Sequence, residues 1–392
     1  MRAVCHPGVR AYRDSLKAAT HRFEPHTELL GPTECPDDMR AAVLCVGVVL
    51  MAASCTGNGG SSPPSATFGT SPSAAQPSPS PSRVLPYAGL SIGPRTSTDG
   101  WVVMADGFGV NVAGAGTLEN VDPRTGQKGD VARIGTWDYD FTTLGRYGEG
   151  SLWLASGHDL WFIGGSPEYA VGRHYDLSAL GYIVAVHEAS PSAGGGTWLA
   201  IAAGDHQGAI IAEFDGDSGT VTRRFRAGGT VGPITDSDGF IVARARRGIV
   251  RIDPKTGRIA TMNLGPSLVE GMAATGGEVW WTSGGGAVNC VEVKTLADCG
   301  RVYIPRASTL SSDGPRLWVL SVTGSRKSGT YVPDPSKPAT VTLMNGFTGE
   351  VLGGPVSLPG HTPASFTSYD GHAWVGFHDT GTVLRVDRAK ST

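Results

Sequence analysis

A unit that recurs about every 35–45 residues from Thr98 to the C-terminus limits the folds open to this chain. Each copy begins with a polar turn ending in Gly, followed by a short apolar run with a bulky residue. A Gly or Ser break and an alternating strand come next. The clearest copy runs from Asp238 to Ile259. Repeats of this size, made of short strands and turns, are typical of β-propellers, in which each unit forms one four-stranded blade.

About seven such units fit into the chain. The sequence therefore predicts an all-β, seven-bladed β-propeller over residues 84–392, with six or eight blades as the neighbouring alternatives. Because the Trp residues of these units recur at the same register, we interpret them as core packing between blades and not as ligand-stacking surfaces. The bulky residues that mark the units are Trp101, Trp153, Trp198, Phe240, Trp280, Trp318 and Trp374.

The two ends of the repeat array predict how the ring closes. The last unit supplies only three strands before Thr392, and an unpaired sheet edge there would promote aggregation. The stretch Val84–Ile92 precedes the first full unit and has no unit of its own. We expect it to form the outer strand of the last blade. Pro86 is compatible with this position because the outermost strand is an edge.

Composition narrows the function classes. The chain has 57 Gly and 26 Pro in 392 residues, which fits a turn-rich fold with a disordered segment. Its net charge of −3 and lack of a basic patch give nucleic-acid binding no electrostatic support.

Cys290 and Cys299 flank a short predicted hairpin in the fifth unit. Export to an oxidising compartment would let them pair as a disulfide. A metal pair is the competing interpretation, but no further His or Cys lies nearby in sequence.

The N-terminal segment has the organisation of an export signal. Met39 and Arg40 precede an apolar run that ends at Cys55, with the length of a secretory core and too short to span a bilayer. The residues Ala52-Ala53-Ser54-Cys55 resemble the lipobox of bacterial lipoproteins, with Ala52 where that family prefers Leu. The resemblance implies that residues 39–55 are a signal peptide and that Cys55 is lipidated. An ordinary signal peptide cleaved near Ser54 is the alternative.

The segments on either side of this signal are not expected to fold. Residues 56–83 are rich in Ser, Pro and Gly and contain too few apolar residues to offset the loss of chain entropy on folding. We therefore predict that they form a disordered tether. Residues 1–38 are an unusually long extension before a signal peptide. We expect a non-native or disordered extension there, with translation starting at Met39.

The repeat pattern is similar to the streptogramin-lyase-like and YVTN-repeat propellers of bacteria. The similarity lies in the runs Gly277–Thr282 and Gly371–Val375 and in the turn Arg251–Gly257. The lyases use His and Glu side chains on one face of the ring. This chain has Ser283 where the lyase pattern has an acid, and Gly232–Thr235 and Val269–Met272 lack the lyase histidine. These departures argue against the lyase reaction.

Three His/Asp pairs remain as weak candidates for chemistry, each just after a second-strand run. Equivalent loops open on one face of a propeller, where such a cluster could bind a divalent metal or act as acid and base. The alternative is that they are turn residues in exposed loops, and we assign no metal and no cofactor. Glu270 and Arg244 are weaker still. The three pairs comprise His158 with Asp159, Asp205 with His206, and His378 with Asp379.

One insertion and the export signal complete the functional prediction. The stretch Gly324–Lys337 interrupts the sixth unit, and long loops on rigid scaffolds often bind partners. A structureless insertion is the alternative.

We expect a lipid-anchored or secreted monomer on the extracytoplasmic face of the bacterial cell membrane that binds a protein or cell-wall partner. The second hypothesis is a propeller lyase or hydrolase that uses the axial His/Asp residues.

Overall fold

The computed structural model describes residues 89–388, except 99, 107–108, 115, 135–141, 148–150, 165–169, 203–208, 228–230, 246–247, 265–268, 284–285, 328–329, 335 and 360–361. The predicted extension, signal peptide and tether, with Cys55, lie outside these residues. The described chain is almost entirely β, with one 3-10 turn at Pro191–Ala193. In this part of the chain no helix has the length and apolar character needed to span a membrane.

Seven four-stranded antiparallel sheets and one two-stranded hairpin contain all the described strands. We number the sheets as blades 1 to 7 and name the strands of each blade a to d, from the axis outward. Blade 1 contains β2 (Val102–Asp106), β3 (Gly109–Gly114), β4 (Thr117–Val121) and β5 (Lys128–Arg133). Blade 2 contains β6 (Thr142–Tyr147), β7 (Ser151–Ser156), β8 (Asp159–Gly164) and β9 (Ala170–Asp176). Blade 3 contains β10 (Tyr182–Glu188), β11 (Thr197–Ala202), β12 (Ile210–Asp215) and β13 (Thr220–Arg226).

The remaining four blades follow in chain order. Blade 4 contains β14 (Ile234–Ser237), β15 (Phe240–Ala245), β16 (Gly248–Ile252) and β17 (Ile259–Asn263). Blade 5 contains β18 (Met272–Thr275), β19 (Glu278–Thr282), β20 (Ala287–Glu292) and β21 (Asp298–Tyr303). Blade 6 contains β22 (Ala307–Asp313), β23 (Arg316–Ser321), β26 (Thr340–Asn345) and β27 (Val351–Ser357), with the hairpin β24 (Gly324–Lys327) and β25 (Thr330–Pro333) inserted. Blade 7 contains β28 (Pro363–Tyr369), β29 (His372–Phe377), β30 (Thr382–Arg388) and β1 (Leu90–Ser97).

The innermost strands form a closed ring. Strand a of each blade lies against strand a of the next, and β28 of blade 7 lies against β2 of blade 1. The predicted seven-bladed propeller is therefore confirmed.

An N-terminal strand closes the last blade, as predicted. β1 pairs antiparallel with β30, with Ile92 opposite Val386 and Ser97 opposite Thr382. The closing strand lies further along the chain than expected, at Leu90–Ser97, and the residues before Gly89 are outside the described part. The position follows from the connection to blade 1, because the Thr98 amide already donates to the Gly381 carbonyl 2.6 Å away.

The hydrophobic core is divided into seven clusters, one at each interface between neighbouring blades. Buried Trp side chains on strand b carry much of it, as the repeat pattern predicts. Trp101 is an exception, since it precedes strand a of blade 1 and is only half-buried. The prediction that Trp101 is equivalent to the other Trp residues is therefore wrong. It arose because Trp101 stands in a similar run of sequence. The strand-b Trp residues of the core are Trp153, Trp198, Trp280, Trp318 and Trp374.

Two kinds of turn give the repeat its sequence signature. In blade 4, Asp238 and Gly239 join strands a and b with φ angles of 50° and 83°, as a type I′ hairpin requires. In the c–d turn of the same blade, the Asp253 carboxylate accepts from the Lys255 amide at 2.9 Å. Gly257 then takes a φ of 71°. The Asp–Pro–Lys–Thr–Gly run thus acts as a turn through the predicted contacts.

Candidate functional site

The ring has two faces with different loops. Because the strands of each blade are antiparallel, the b–c loops and the connections to the next blade lie at one end, which we call the b–c face. The a–b hairpins and c–d turns lie at the other end, the a–b face. The predicted residues His158, His378 and Asp379 stand in b–c loops. Asp205 and His206 belong to the b–c connection of blade 3 and lie outside the described residues.

His158 contacts the chain that enters blade 3. Its Nδ1 lies 2.9 Å from the carbonyl oxygen of Gly181, and its ring centroid lies 4.0 Å from that of Tyr182, the first residue of β10. Its own carbonyl accepts from the Leu177 amide at 2.9 Å. The side chain therefore joins blade 2 to blade 3.

His378 makes a comparable contact at the start of blade 1. Its ring meets Trp101 edge-on, with 4.3 Å between centroids and an interplanar angle of 71°. Trp101 directly precedes β2, so His158 and His378 each pack on an aromatic side chain at the entry to the next blade. Asp379, next to His378, is exposed. No described contact joins His158 to His378, which belong to blades 2 and 7.

The described residues contain one group of possible metal ligands, formed by Glu278, Cys290 and Cys299. The two sulfurs are joined to each other, with 5.1 Å between the Cα atoms, which leaves no thiolate for a metal. Both cysteines lie on the outer strands β20 and β21 of blade 5, where the sequence places them. Burial raises the pKa of Glu278, whose carboxylate lies 3.6 Å from the Cys290 sulfur.

A cluster that sequence analysis missed joins the inner strands of blades 3 and 4. His187 Nε2 lies 2.6 Å from Asp236 Oδ1, and the Ser190 hydroxyl donates to the other carboxylate oxygen. Burial acts to raise the pKa of Asp236, but the hydrogen bonds from His187 and Ser190 outweigh it and the pKa lies below its ordinary value. No repeated pattern marks these residues, since only the packing of blade 3 against blade 4 brings β10 beside β14.

This cluster does not have the order of a nucleophile and its base. A nucleophilic serine needs a histidine as the direct acceptor of its proton, with the carboxylate behind that histidine. Here the Asp236 carboxylate lies between Ser190 and His187, and the structure gives no hydrogen bond between those two. The arrangement suits a contact that holds two blades together.

A cavity of about 410 Å³ opens within the ring of inner strands. Its wall carries hydroxyl groups from blades 4, 6 and 7 together with the Asp313 carboxylate. That carboxylate accepts from Arg316 Nη1 at 3.3 Å and from the Gly371 amide. The two weaker predicted candidates, Glu270 and Arg244, do not line this cavity. The hydroxyl-bearing wall residues are Thr235, Ser311, Ser312, Thr367, Ser368 and Tyr369.

The predicted insertion of blade 6 forms a β-hairpin on the b–c face. β24 pairs with β25, with Gly324 opposite Pro333. The Asp334 amide donates to the Thr323 carbonyl at 2.6 Å, which joins the two ends of the hairpin at its base. The insertion is thus a folded element and not the structureless loop considered as the alternative.

Comparison with known proteins supports the fold alone. No protein-family model matches this sequence, and neither does any curated protein. BamB from Moraxella catarrhalis is similar in structure, with a TM-score of 0.50 and 11% identity over 76% of this chain and 99% of that one. BBS1N, crystallised in complex with ARL6DN, has a TM-score of 0.58 and 12% identity over 78% of this chain and 98% of that one. Both are propellers.

Proposed function

We propose that the chain is a lipid-anchored, extracytoplasmic propeller that binds a protein or cell-wall partner at the bacterial envelope. The observation that carries this proposal is the hairpin β24–β25, a separate two-stranded sheet inserted between strands b and c of blade 6. A short strand pair fixed at its base on a rigid ring is suited to bind a partner. A propeller of the YVTN-repeat type is consistent with the repeat pattern.

The anchoring part of the proposal rests on the sequence before the ring. The apolar run ending at Cys55 resembles a lipoprotein signal, and the segment 56–83 has the composition of a tether. The disulfide of blade 5 fits an oxidising compartment. BBS1N, a propeller of similar fold, was crystallised in complex with ARL6DN, which fits a partner-binding role for this chain as well.

A binding role is also supported by what the candidate histidines do. His158 and His378 each pack on an aromatic residue of the next blade, and the described residues hold no metal-ligand group besides the disulfide-linked one. A general base must lie within hydrogen-bond reach of the proton that it abstracts. Two histidines used for contacts at different blade interfaces are poorly placed for that.

The hairpin is tested by site-specific crosslinking in the living cell. A photo-crosslinking residue placed at Tyr331, within β25, is expected to yield a discrete crosslinked product. The same residue at Lys255, in an exposed turn on the a–b face, serves as the matched control and is expected to yield none. Equal patterns at both positions, or no product at Tyr331, would contradict the proposed binding surface.

The anchor is tested separately by fractionation. Cys55→Ser is expected to move the protein from the membrane fraction to the soluble extracytoplasmic fraction, because the thioether that carries the lipid cannot form on Ser. Ser54→Ala, a change of the neighbouring small residue, should leave it in the membrane. Cell-associated Cys55→Ser protein that still sediments with the membrane would contradict lipid anchoring.

A further inference from the structure

The interface between blade 7 and blade 1 holds a second cavity, of about 390 Å³, on the a–b face. Its wall combines the a–b hairpin of blade 7 with the c–d turn of blade 1. We call it the seam pocket, because it lies where the two ends of the repeat array meet. Its wall includes the buried side chains of Val110 and Trp374. The charged and titratable groups at the wall are Asp122, Arg124, Tyr369, Asp370 and His372.

The equivalent interface between blades 4 and 5 contains an ion pair at the corresponding positions. There Asp238 of the a–b hairpin lies 3.3 Å from the ammonium group of Lys294 in the next c–d turn. Arg251 beneath them donates to the Lys294 carbonyl. The ion pair joins the hairpin of one blade to the turn of the next.

The interface between blades 7 and 1 has the same two elements, an a–b hairpin and a c–d turn, but their opposite charges do not pair. Arg385 occupies the register position of Arg251 and donates to the Arg124 carbonyl at 3.2 Å. Asp370 and Arg124 therefore stand where Asp238 and Lys294 stand. Neither side chain has an ion pair with any residue that the structure describes, and both face the same cavity. A carboxylate and a guanidinium are thus presented across a space that protein atoms do not fill.

A histidine replaces the aromatic residue beneath this pair. Arg251 lies 4.7 Å above the ring of Phe240, whereas the equivalent position in blade 7 is His372. His372 Nδ1 lies 2.7 Å from Asp387 Oδ1. Because a carboxylate only accepts, Nδ1 carries the proton, and in the uncharged form of the ring Nε2 is an acceptor. His372 also lines the seam pocket.

Asp122, also at the pocket wall, keeps its negative charge. Backbone hydrogen bonds from Thr125 and Arg124 hold the pKa of Asp122 below its ordinary value. The pocket therefore presents carboxylates and an imidazole acceptor together with one guanidinium. A purely cationic ligand would make no use of Arg124, and a purely anionic one would meet two carboxylates. A ligand with one group of each sign satisfies both.

We propose that the seam pocket binds a small zwitterion, namely a free amino acid or short peptide with a free ammonium and a free carboxylate. The ammonium group binds Asp370 and the acceptor nitrogen of His372. The carboxylate binds Arg124, whose planar guanidinium suits such a group. A volume of about 390 Å³ is at the lower end of the range for small-molecule sites.

Calorimetric titration of the full-length chain with three related peptides tests the charge requirement. Dialanine carries both charges, N-acetyl-dialanine only the negative one, and dialanine amide only the positive one. Dialanine is expected to bind about tenfold to a hundredfold more tightly than either blocked form, the effect of one lost charge-assisted hydrogen bond. Equal binding of a blocked form, or no binding of dialanine at millimolar concentration, overturns the proposal.

Two substitutions with a matched control locate the site. Asp370→Asn should remove the preference for dialanine over its acetylated form, and Arg124→Gln the preference over its amide. Asn suits position 370 because it tolerates the left-handed φ of 50° found there. The pair Asp238→Asn and Lys294→Gln makes the same changes at blades 4 and 5 and should leave dialanine binding within about twofold.

The site is independent of the hairpin proposed to bind a partner. A chain in which residues 325–332 are replaced by a short turn should bind dialanine as the native protein does, because the seam pocket lies on the opposite face. Dialanine binding that survives Asp370→Asn and Arg124→Gln with its charge preferences intact would contradict the assignment to this pocket.

Discussion

Arg385 donates a hydrogen bond to the carbonyl oxygen of Arg124, 3.2 Å away, and so connects the last blade to the first. The same side chain donates to the Pro123 carbonyl, lies 5.8 Å from the ring of Trp374, and donates to Asp387 at 2.9 Å. One arginine thereby reaches across the point where the ring closes.

The contact belongs to a series. In every c–d turn that the structure describes, the carbonyl of the second turn residue accepts from a side chain of the preceding blade. Arginine supplies the donor at four of these turns, and the Trp280 indole supplies it at the fifth, 2.6 Å from Gly346. The turn therefore both reverses the chain and receives the neighbouring blade. The arginine contacts run from Arg173 to Gly216, Arg223 to Pro254, Arg251 to Val293, and Arg385 to Pro123.

Replacing the arginine at the closure should loosen the ring. Arg385→Met keeps the apolar stem over Trp374 but removes the hydrogen bonds and leaves the partly buried Asp387 without its arginine partner. We expect the free energy of unfolding to fall by about 2–3 kcal/mol, measured by urea denaturation. Arg388→Met, on the same strand and exposed, is the control and should change it by less than about 0.5 kcal/mol. A similar loss in both variants would mean that the closure contact contributes little.

Removing the closing strand β1 should lower the stability of the protein more than removing all the residues that precede β1. A chain that begins at Thr98 lacks β1 and exposes the edge of β30, so we expect a lower melting temperature and self-association. A chain that begins at Gly89 keeps β1 and should remain monomeric with the native melting temperature. Size-exclusion chromatography and thermal melts distinguish the two. A stable monomer starting at Thr98 would show that β1 is dispensable.

The disulfide of blade 5 should stabilise the protein measurably. It closes a short loop, with a separation of 9 residues between Cys290 and Cys299. The chain-entropy model gives about 2–3 kcal/mol for a loop of this size. The double change to Ser is therefore expected to lower the free energy of unfolding by that amount, and a reductant should lower the native value equally. A reductant that also destabilises the double variant would point to an effect elsewhere.

The contact between His187 and Asp236 should make stability depend on acid pH. The pKa of Asp236 lies below its ordinary value of 3.8 in the folded protein, so the unfolded chain binds this proton first as pH falls. Its contribution is complete above the unfolded value and is lost as pH falls through the folded one. Asp236→Asn should flatten the decline in stability below about pH 4.

The pH dependence has a control in the chain. Asp379→Asn changes an exposed carboxylate in a b–c loop and should leave the acid slope as in the native protein. The measurement is the urea midpoint between pH 3 and pH 7. An unchanged slope in Asp236→Asn would show that other carboxylates dominate acid unfolding.

The repeat by itself determined the architecture. Alternating apolar residues, Asp–Gly hairpins and Asp–Pro–x–Thr–Gly turns act within a few residues of each other, so they can be read from one unit, and their recurrence predicted seven blades. The missing fourth strand of the last unit likewise predicted closure by the N-terminus. The short loop between Cys290 and Cys299 predicted their pairing for the same local reason.

Only the tertiary structure decided which side chains meet between blades. Asp370 and Arg124 are far apart in sequence and face one pocket only because the ring closes, and their counterparts Asp238 and Lys294 form an ion pair with much the same residue chemistry. The predicted His158 and His378 turned out to pack on Tyr182 and Trp101. Contacts of this kind depend on blade spacing and side-chain reach, which no periodicity within a unit encodes.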